Sequence, residues 1–407
     1  MSPLRTLAVW ATFAIVHAIL ILENVFAPNQ PLGDVENTYP TWWSMALEGF
    51  GFPGLSADGV YPYLALGPIA VAAGGVGAWF ALIVALDAIA VAVLARRSEL
   101  ATYVWLGFQL ALGPIALGRI DSVTVALAII VVAIIDRAPR MAGTLIAVAT
   151  WVKVWPIALG IAALRSPRFG SLARSSFTVA IGLALVGILI GDRLSVFSFF
   201  GEQQGRGIQV EAVAATPWLW DAWSGGASVI SFSPDIYTFE VDGRGTELVA
   251  ELLTTVQVCM LLGIVLLLLS HRRTVGTVSG ASFGYALLAL VALLVSVNKV
   301  GSPQFVSWFA VPLVAIVLVN GQRSTTVLVA LIGSIATLTH VIYPYAYFAF
   351  LELRTIPLVL ITIRNLVEVA LLVTALVVLV MQLRVEKLAY QFANLGIGDK
   401  EGVVSVR

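Results

Sequence analysis

Eight ionisable residues fall in or beside apolar stretches, where a charge is costly and usually lines a cavity: Asp34, Glu36, Asp121, Lys153, Arg206, Glu211, Lys299 and His340. Asp34 lies in the loop PNQPLGDVENTYPTWW. A carboxylate at the mouth of an apolar groove, with one side open, suits a general base that takes a proton from an acceptor hydroxyl. The alternative is a solvated loop acid or turn former. Glu36, two residues on, reads as a solvated or supporting carboxylate. GRID at 118–121 puts Arg119 and Asp121 at a helix junction, where Asp121 either caps a helix starting at Ser122 or belongs to the site.

Lys153, in WVKVWP, interrupts two apolar stretches of about twelve residues. Either it snorkels to the interface, or two half-helices present its ammonium to an anion. NKVGSPQF at 298–305 sets Lys299 before Ser302, a possible cap, Pro303 at a first helical position, and Gln304. A helix N-terminus beside a lysine is a phosphate-binding arrangement. GEQQGRGIQVE at 201–211 offers Arg206 and Gln209 to clamp a phosphate or sugar hydroxyls. His340, before YPYAY, is either a phosphate donor or a hydrogen-bonded interfacial ring; His17 in mid-span and His271 beside Arg272 and Arg273 read as structural.

The elements that carry these residues are membrane helices. Of 407 residues, 59% are hydrophobic and 11% charged, and mean hydropathy is +0.97; soluble chains carry roughly a quarter charged residues. Apolar segments of about 20 residues, the length that crosses about 30 Å of hydrocarbon, recur from end to end. The net charge is zero and no basic face is present, which points away from nucleic acid. The single cysteine, Cys259, allows neither a disulfide framework nor a thiol metal site, and no metal or other cofactor is expected.

Loop Lys and Arg set the orientation. Spans at about 7–27, 77–95, 99–118, 121–136, 142–153 with 154–165, 175–191, 248–270, 278–297, 304–319, 325–342 and 357–382 put fifteen basic residues on one side, from Arg5, Arg96 and Arg97 to Arg323, Arg384, Lys400 and Arg407. The first span reads as a retained anchor, and both termini as cytoplasmic. Segments 38–50 and 61–75 read as interfacial or re-entrant helices in the first outer loop, 28–76, and 192–247 as a second large outer loop. The expected fold is all-α: one polytopic transmembrane bundle of about twelve helices over 1–383, with a cytoplasmic tail at 384–407. All eight ionisable residues then fall at the outer face or at outer membrane depth. A carboxylate at one end and cations at the other suit an acceptor hydroxyl attacking a sugar whose leaving group is a lipid-linked phosphate.

The order of GDVENTYPTWW, VYPYL at 60–64, GRID, AGTLIAVATWVKVWP at 142–156, QGRGIQVE at 204–211 and NKVGSPQFVSW at 298–308 resembles the GT-C superfamily of lipid-phosphate-sugar glycosyltransferases, and most of all family 87, the polyprenol-phosphate-mannose-dependent mannosyltransferases. Tyr63 departs from the pattern, standing where relatives have a second proline. The resemblance implies a mannosyltransferase in a bacterial, actinobacterial, plasma membrane, acting with inversion on a glycolipid or cell-envelope glycan acceptor. Asp34 would be the base, and Lys153, Lys299, Arg206 and His340 would hold the donor phosphate. Transfer of arabinofuranose or glucose by the same route, or lipid-linked transport without catalysis, are the alternatives.

Overall fold

The computed structural model describes residues 2–192, 195–202, 205–234, 238–276, 281–321 and 325–394. Arg323, Lys400 and Arg407 of the expected cytoplasmic set, Gln204 of the QGRGIQVE segment, and the tail beyond 394 lie outside the described residues.

The chain folds as α1 (Pro3–Phe26), α2 (Tyr39–Met45), α3 (Leu66–Ala73), α4 (Val76–Ala95), α5 (Glu99–Leu112), α6 (Asp121–Ile134), α7 (Pro139–Val152), α8 (Ile157–Ala162), α9 (Phe169–Ile190), α10 (Thr216–Trp223), α11 (Thr246–Val275), α12 (Ala281–Ser296), α13 (Ala310–Asn320), α14 (Thr326–His340), α15 (Tyr347–Leu351) and α16 (Thr355–Asn394). Among the described residues seven helices are long and apolar enough to cross a membrane, and three apolar ones are shorter: α6, α12 and Tyr63–Ala73, which a 3₁₀ turn and α3 form together. The protein is thus a helical membrane protein. The break expected at Lys153 is present: α7 ends at Val152, Lys153 is extended (φ −155°, ψ 136°), and α8 starts at Ile157.

Burial sorts the helices into layers. Twelve of the fourteen residues of α6 and eight of the eleven of α13 are buried, whereas α9 buries only Leu172 and Gly187, packs one side on α7 and leaves an apolar surface outward. That pattern belongs to a helix facing lipid. In the bundle interior His17 Nε2 lies 3.0 Å from Asp87 Oδ2, which also accepts from Gln109 Nε2 at 2.7 Å. Three spans thereby satisfy one buried carboxylate, in keeping with a structural His17.

The two ends of the bundle differ. At one end Arg165 pairs with Glu386, Arg272 donates to Leu164 O, and His271 Nε2 lies 2.6 Å from Leu383 O. At the other, the two long polar segments meet: Asp192 N donates to Leu55 O at 2.7 Å and Gly59 N to Ser198 Oγ at 2.9 Å. The second segment departs from an all-helical expectation in detail. It holds a three-stranded antiparallel sheet of β1 (Ile208–Gln209), β2 (Val229–Ser233) and β3 (Thr238–Asp242) in the order β1-β3-β2. Phe232 opposite Phe239, with rings 5.1 Å apart, supplies a cross-strand pair that a search for membrane spans does not register.

Candidate active site

Asp34 opens a wide helical turn, Asp34–Thr38, that runs into α2. Its Oδ2 lies 3.4 Å from Arg119 Nε, and Tyr39 donates to it weakly at 3.5 Å. Tyr39 itself is buried and accepts from Ile120 N at 3.3 Å, tying the first polar loop to the start of α6. The turn before Arg119 is pinned by Asn24, which donates to Pro114 O at 3.0 Å, and by Trp79, which donates to Leu117 O at 2.8 Å. Only glycine fits at 118: a Cβ there would meet Asn24 Oδ1 at 2.7 Å and Pro31 O at 3.1 Å. Arg119 is buried and donates to Pro31 O, to Gly118 O at 3.0 Å and to the Tyr343 hydroxyl at 3.0 Å. With its planar fork so fixed, Arg119 orients the Asp34 carboxylate, whose side chain stays 33% exposed.

Asp121 does not cap α6. The helix begins at Asp121 itself, with Ile120 in the cap position and no side-chain cap bond. Its carboxylate, 1% exposed, accepts from Lys153 Nζ at 2.7 Å and from Trp308 Nε1 at 2.6 Å. The ammonium sits among the rings of Tyr61, Phe305 and Trp308, at 5.2, 5.1 and 5.8 Å from their centroids. Trp155 stacks on Trp308 at 5.3 Å and donates to Thr124 Oγ1 at 2.9 Å. Lys153 therefore braces the junction of α6, α7 and the 303–309 turn, with its charge compensated inside the protein.

Lys299 sits beside the second polar segment, where its carbonyl accepts from Gln209 N at 2.9 Å. Burial and the neighbouring Arg206 pull its ammonium below the usual lysine range, against Glu240 and Glu251. Arg206 is half-buried, donates to Glu202 O at 3.1 Å, and is lowered by burial against Tyr61, Glu202 and Glu240. Tyr61 joins the two ends of the site: its phenol is raised by burial and by Asp34 and Asp121, against Arg119 and Arg206. Gln209 is buried on β1 opposite Glu240. Ser302 occupies a cap position but makes no side-chain cap bond; Pro303 opens a tight 3₁₀ turn, Pro303–Phe309, that holds Gln304, whose carbonyl accepts from Ser307 Oγ at 2.6 Å.

Contacts thus join Asp34 to Arg119 and Asp121 to Lys153 and Tyr61, while Lys299 is joined through its backbone to Gln209, three residues after Arg206. Glu36 is exposed. His340 lies elsewhere: its ring rests on Gly113 and its Nε2 is 3.6 Å from Glu23 Oε2, on the flank of α1. Sequence reasoning did not single out Tyr39, Tyr61, Trp308, Tyr343 or Glu23. Tyr61 and Trp308 stood inside quoted motifs, but aromatic residues are so common in membrane interfaces that neither carried a signal. Tyr39 and Tyr343, in GDVENTYPTWW and YPYAY, stood among such aromatic residues too, and Glu23 stood in no quoted motif.

No curated protein and no solved structure matches the chain. The model of glycosyltransferase family 87 matches residues 59–297, from just before Tyr61 to just before Lys299. That is more than half of the 407 residues, and the chain belongs to glycosyltransferase family 87.

Proposed function

We propose that this membrane glycosyltransferase moves a sugar, mannose, from a polyprenyl-phosphate donor to a hydroxyl of a lipid-linked or cell-envelope glycan, at the outer face of the plasma membrane. Asp34 takes the proton of the acceptor hydroxyl; the oxygen attacks the anomeric carbon from the side opposite the phosphate. The bond from that carbon to the phosphate oxygen breaks, the lipid phosphate leaves with the electron pair, and the configuration inverts. Lys299 and Arg206 stabilise the charge on the leaving phosphate, with Gln209 and Gln304 beside them. Arg119 orients the base, and the Asp121–Lys153 pair sets the wall between the two ends.

The observation that carries this reading is the polarity of the cluster. A partly exposed carboxylate stands at one end, and at the other Arg206 and Lys299 are carried by two segments that the Gln209 N to Lys299 O bond holds side by side. Adjacent like charges favour an anion between them. The basic residues Arg165 and Arg272 lie at the opposite end of the bundle, which by loop charge is the cytoplasmic one.

The test incubates the protein in lipid nanodiscs with radiolabelled polyprenyl-phosphate-mannose or a nucleotide-activated mannose and a panel of glycolipid acceptors. Transfer from the lipid donor alone, with inversion, supports the reading. Transfer from the nucleotide sugar, or none from any lipid-phosphate sugar, defeats it.

A further inference from the structure

We propose that Arg364 and Asn365, on α16 and outside the segment matched by the family, are positioning residues for the donor end of the site, clamping the Gln209–Ala212 turn against the loop that carries Lys299. The proposal rests on the donor-phosphate role given above to Lys299 and Arg206.

An arginine in the interior of a long apolar helix is costly, and its partners show what it holds in place. Arg364 is 3% exposed and its fork is fully engaged. Nη1 lies 3.2 Å from Glu211 Oε2, Nη2 donates to Glu211 O and, at 2.8 Å, to Asn365 Oδ1, and Nε faces Asn365 Oδ1 at 3.1 Å and Glu368 Oε1 at 3.4 Å. The Asn365 amide donates onward to Thr216 Oγ1 at 2.9 Å and Ala212 O at 3.5 Å. Side chain and backbone of residue 211 and the backbone of 212 are therefore gripped by one helix.

From there the path to Lys299 is backbone only. Ala212 N donates to Gln209 O at 2.9 Å, which closes the turn, and Gln209 N donates to Lys299 O at 2.9 Å. The two segments touch so closely that a Cβ on Gly301 would stand 2.0 Å from Ala212 N. A shift of residues 211–212 is thus transmitted to Lys299 and, through the same strand, to Arg206. Two buried carboxylates on one arginine are a poor choice for stability alone, since an apolar trio of similar volume packs as well. What the polar trio adds is direction, because a guanidinium fork fixes the orientation of its partners.

The test compares wild type, Arg364→Lys and Asn365→Ala as full chains in nanodiscs, by amide hydrogen exchange over 208–213 and by donor KM and kcat. Lysine keeps the charge against Glu211 and Glu368 but loses the fork, so the fold survives. Both variants are expected to exchange about tenfold faster at Gln209–Ala212 and to raise donor KM about tenfold with kcat little changed, the effect of losing one charge-assisted hydrogen bond. Unchanged exchange in both overturns the clamp. Faster exchange with unchanged donor KM overturns its role in donor placement. A wild type inactive with every lipid-phosphate sugar defeats the functional reading alone, and the exchange rates still decide the clamp.

Discussion

Replacing Asp121 by Asn tests whether Lys153 is an internal brace. The substitution keeps an oxygen for Trp308 Nε1 but removes the charge 2.7 Å from the Lys153 ammonium, which is 8% exposed. A buried pair that loses one member leaves an uncompensated charge, at a cost of about 3–5 kcal/mol. Lys153→Met leaves the carboxylate facing Trp308 alone and costs a similar amount, while methionine keeps contact with Tyr61 and Phe305. In the double variant no charge is stranded, so its cost falls at least roughly 2 kcal/mol below the sum of the singles. At roughly 2 °C per kcal/mol for a large domain, each single variant melts about 6–10 °C below wild type. Tryptophan fluorescence on heating in nanodiscs reads this directly. Single variants that melt within about 2 °C of wild type, or a double variant as unstable as the sum, would refute the brace. Lys153→Met that leaves melting unchanged and raises only donor KM would instead make the ammonium an open phosphate ligand.

Gly301→Ala puts a methyl against the backbone of Ala212, where no rotamer can yield, and is expected to cost about 1–3 kcal/mol and to raise donor KM more than it lowers kcat; equal kinetics would show that the two loops do not act together. The Glu211 carboxyl is raised to about 7 from its ordinary 4.5 by burial first and by Glu368, against Arg364 and Arg119. A carboxyl raised on folding contributes stability that is full below 4.5 and lost as pH climbs through 7. Melting of wild type from pH 5 to 8 should therefore fall by roughly 1–3 kcal/mol relative to Glu211→Gln, and parallel profiles would contradict the shift. In a Cys259→Ser background, Ala57→Cys and Gly75→Cys should react with a membrane-impermeant thiol reagent from the same side. The eight residues of α3 cover only about 12 Å, too short to cross about 30 Å of hydrocarbon; labelling from opposite sides would make that segment a span.

Spans were legible because their cause is local. Twenty apolar residues must form a helix in lipid, and the helices found at Pro3–Phe26, Val76–Ala95 and Phe169–Ile190 lie within a few residues of the segments read from hydropathy. The break at Lys153 was legible in part, since a lysine between two apolar half-spans either snorkels to the interface or marks an interruption. Pairing was not legible. Asp121 and Lys153 are 32 residues apart, and nothing in GRID or WVKVWP says that each completes the other. Arg364 was overlooked because one arginine in a long apolar run looks like noise until its partner, Glu211, is seen 153 positions away. His340 drew notice by type and rarity, yet its neighbours are Glu23 and Gly113, which only the packing of α1 against α14 and the 113–116 turn brings to it. Asp34 and Lys299, the two residues on which the proposed chemistry turns, both lie outside the matched segment, so their assignment rests on the geometry of the cluster.

The central claim is that Asp34 is the base of a lipid-phosphate-sugar transfer, and the most direct measurement is the turnover of Asp34→Asn with polyprenyl-phosphate-mannose alongside its affinity for that donor. Asparagine fills the same space beside Arg119 but cannot take the acceptor proton. The account predicts a loss of about 10²–10⁴ in kcat with donor affinity unchanged. Transfer equal to wild type would contradict it.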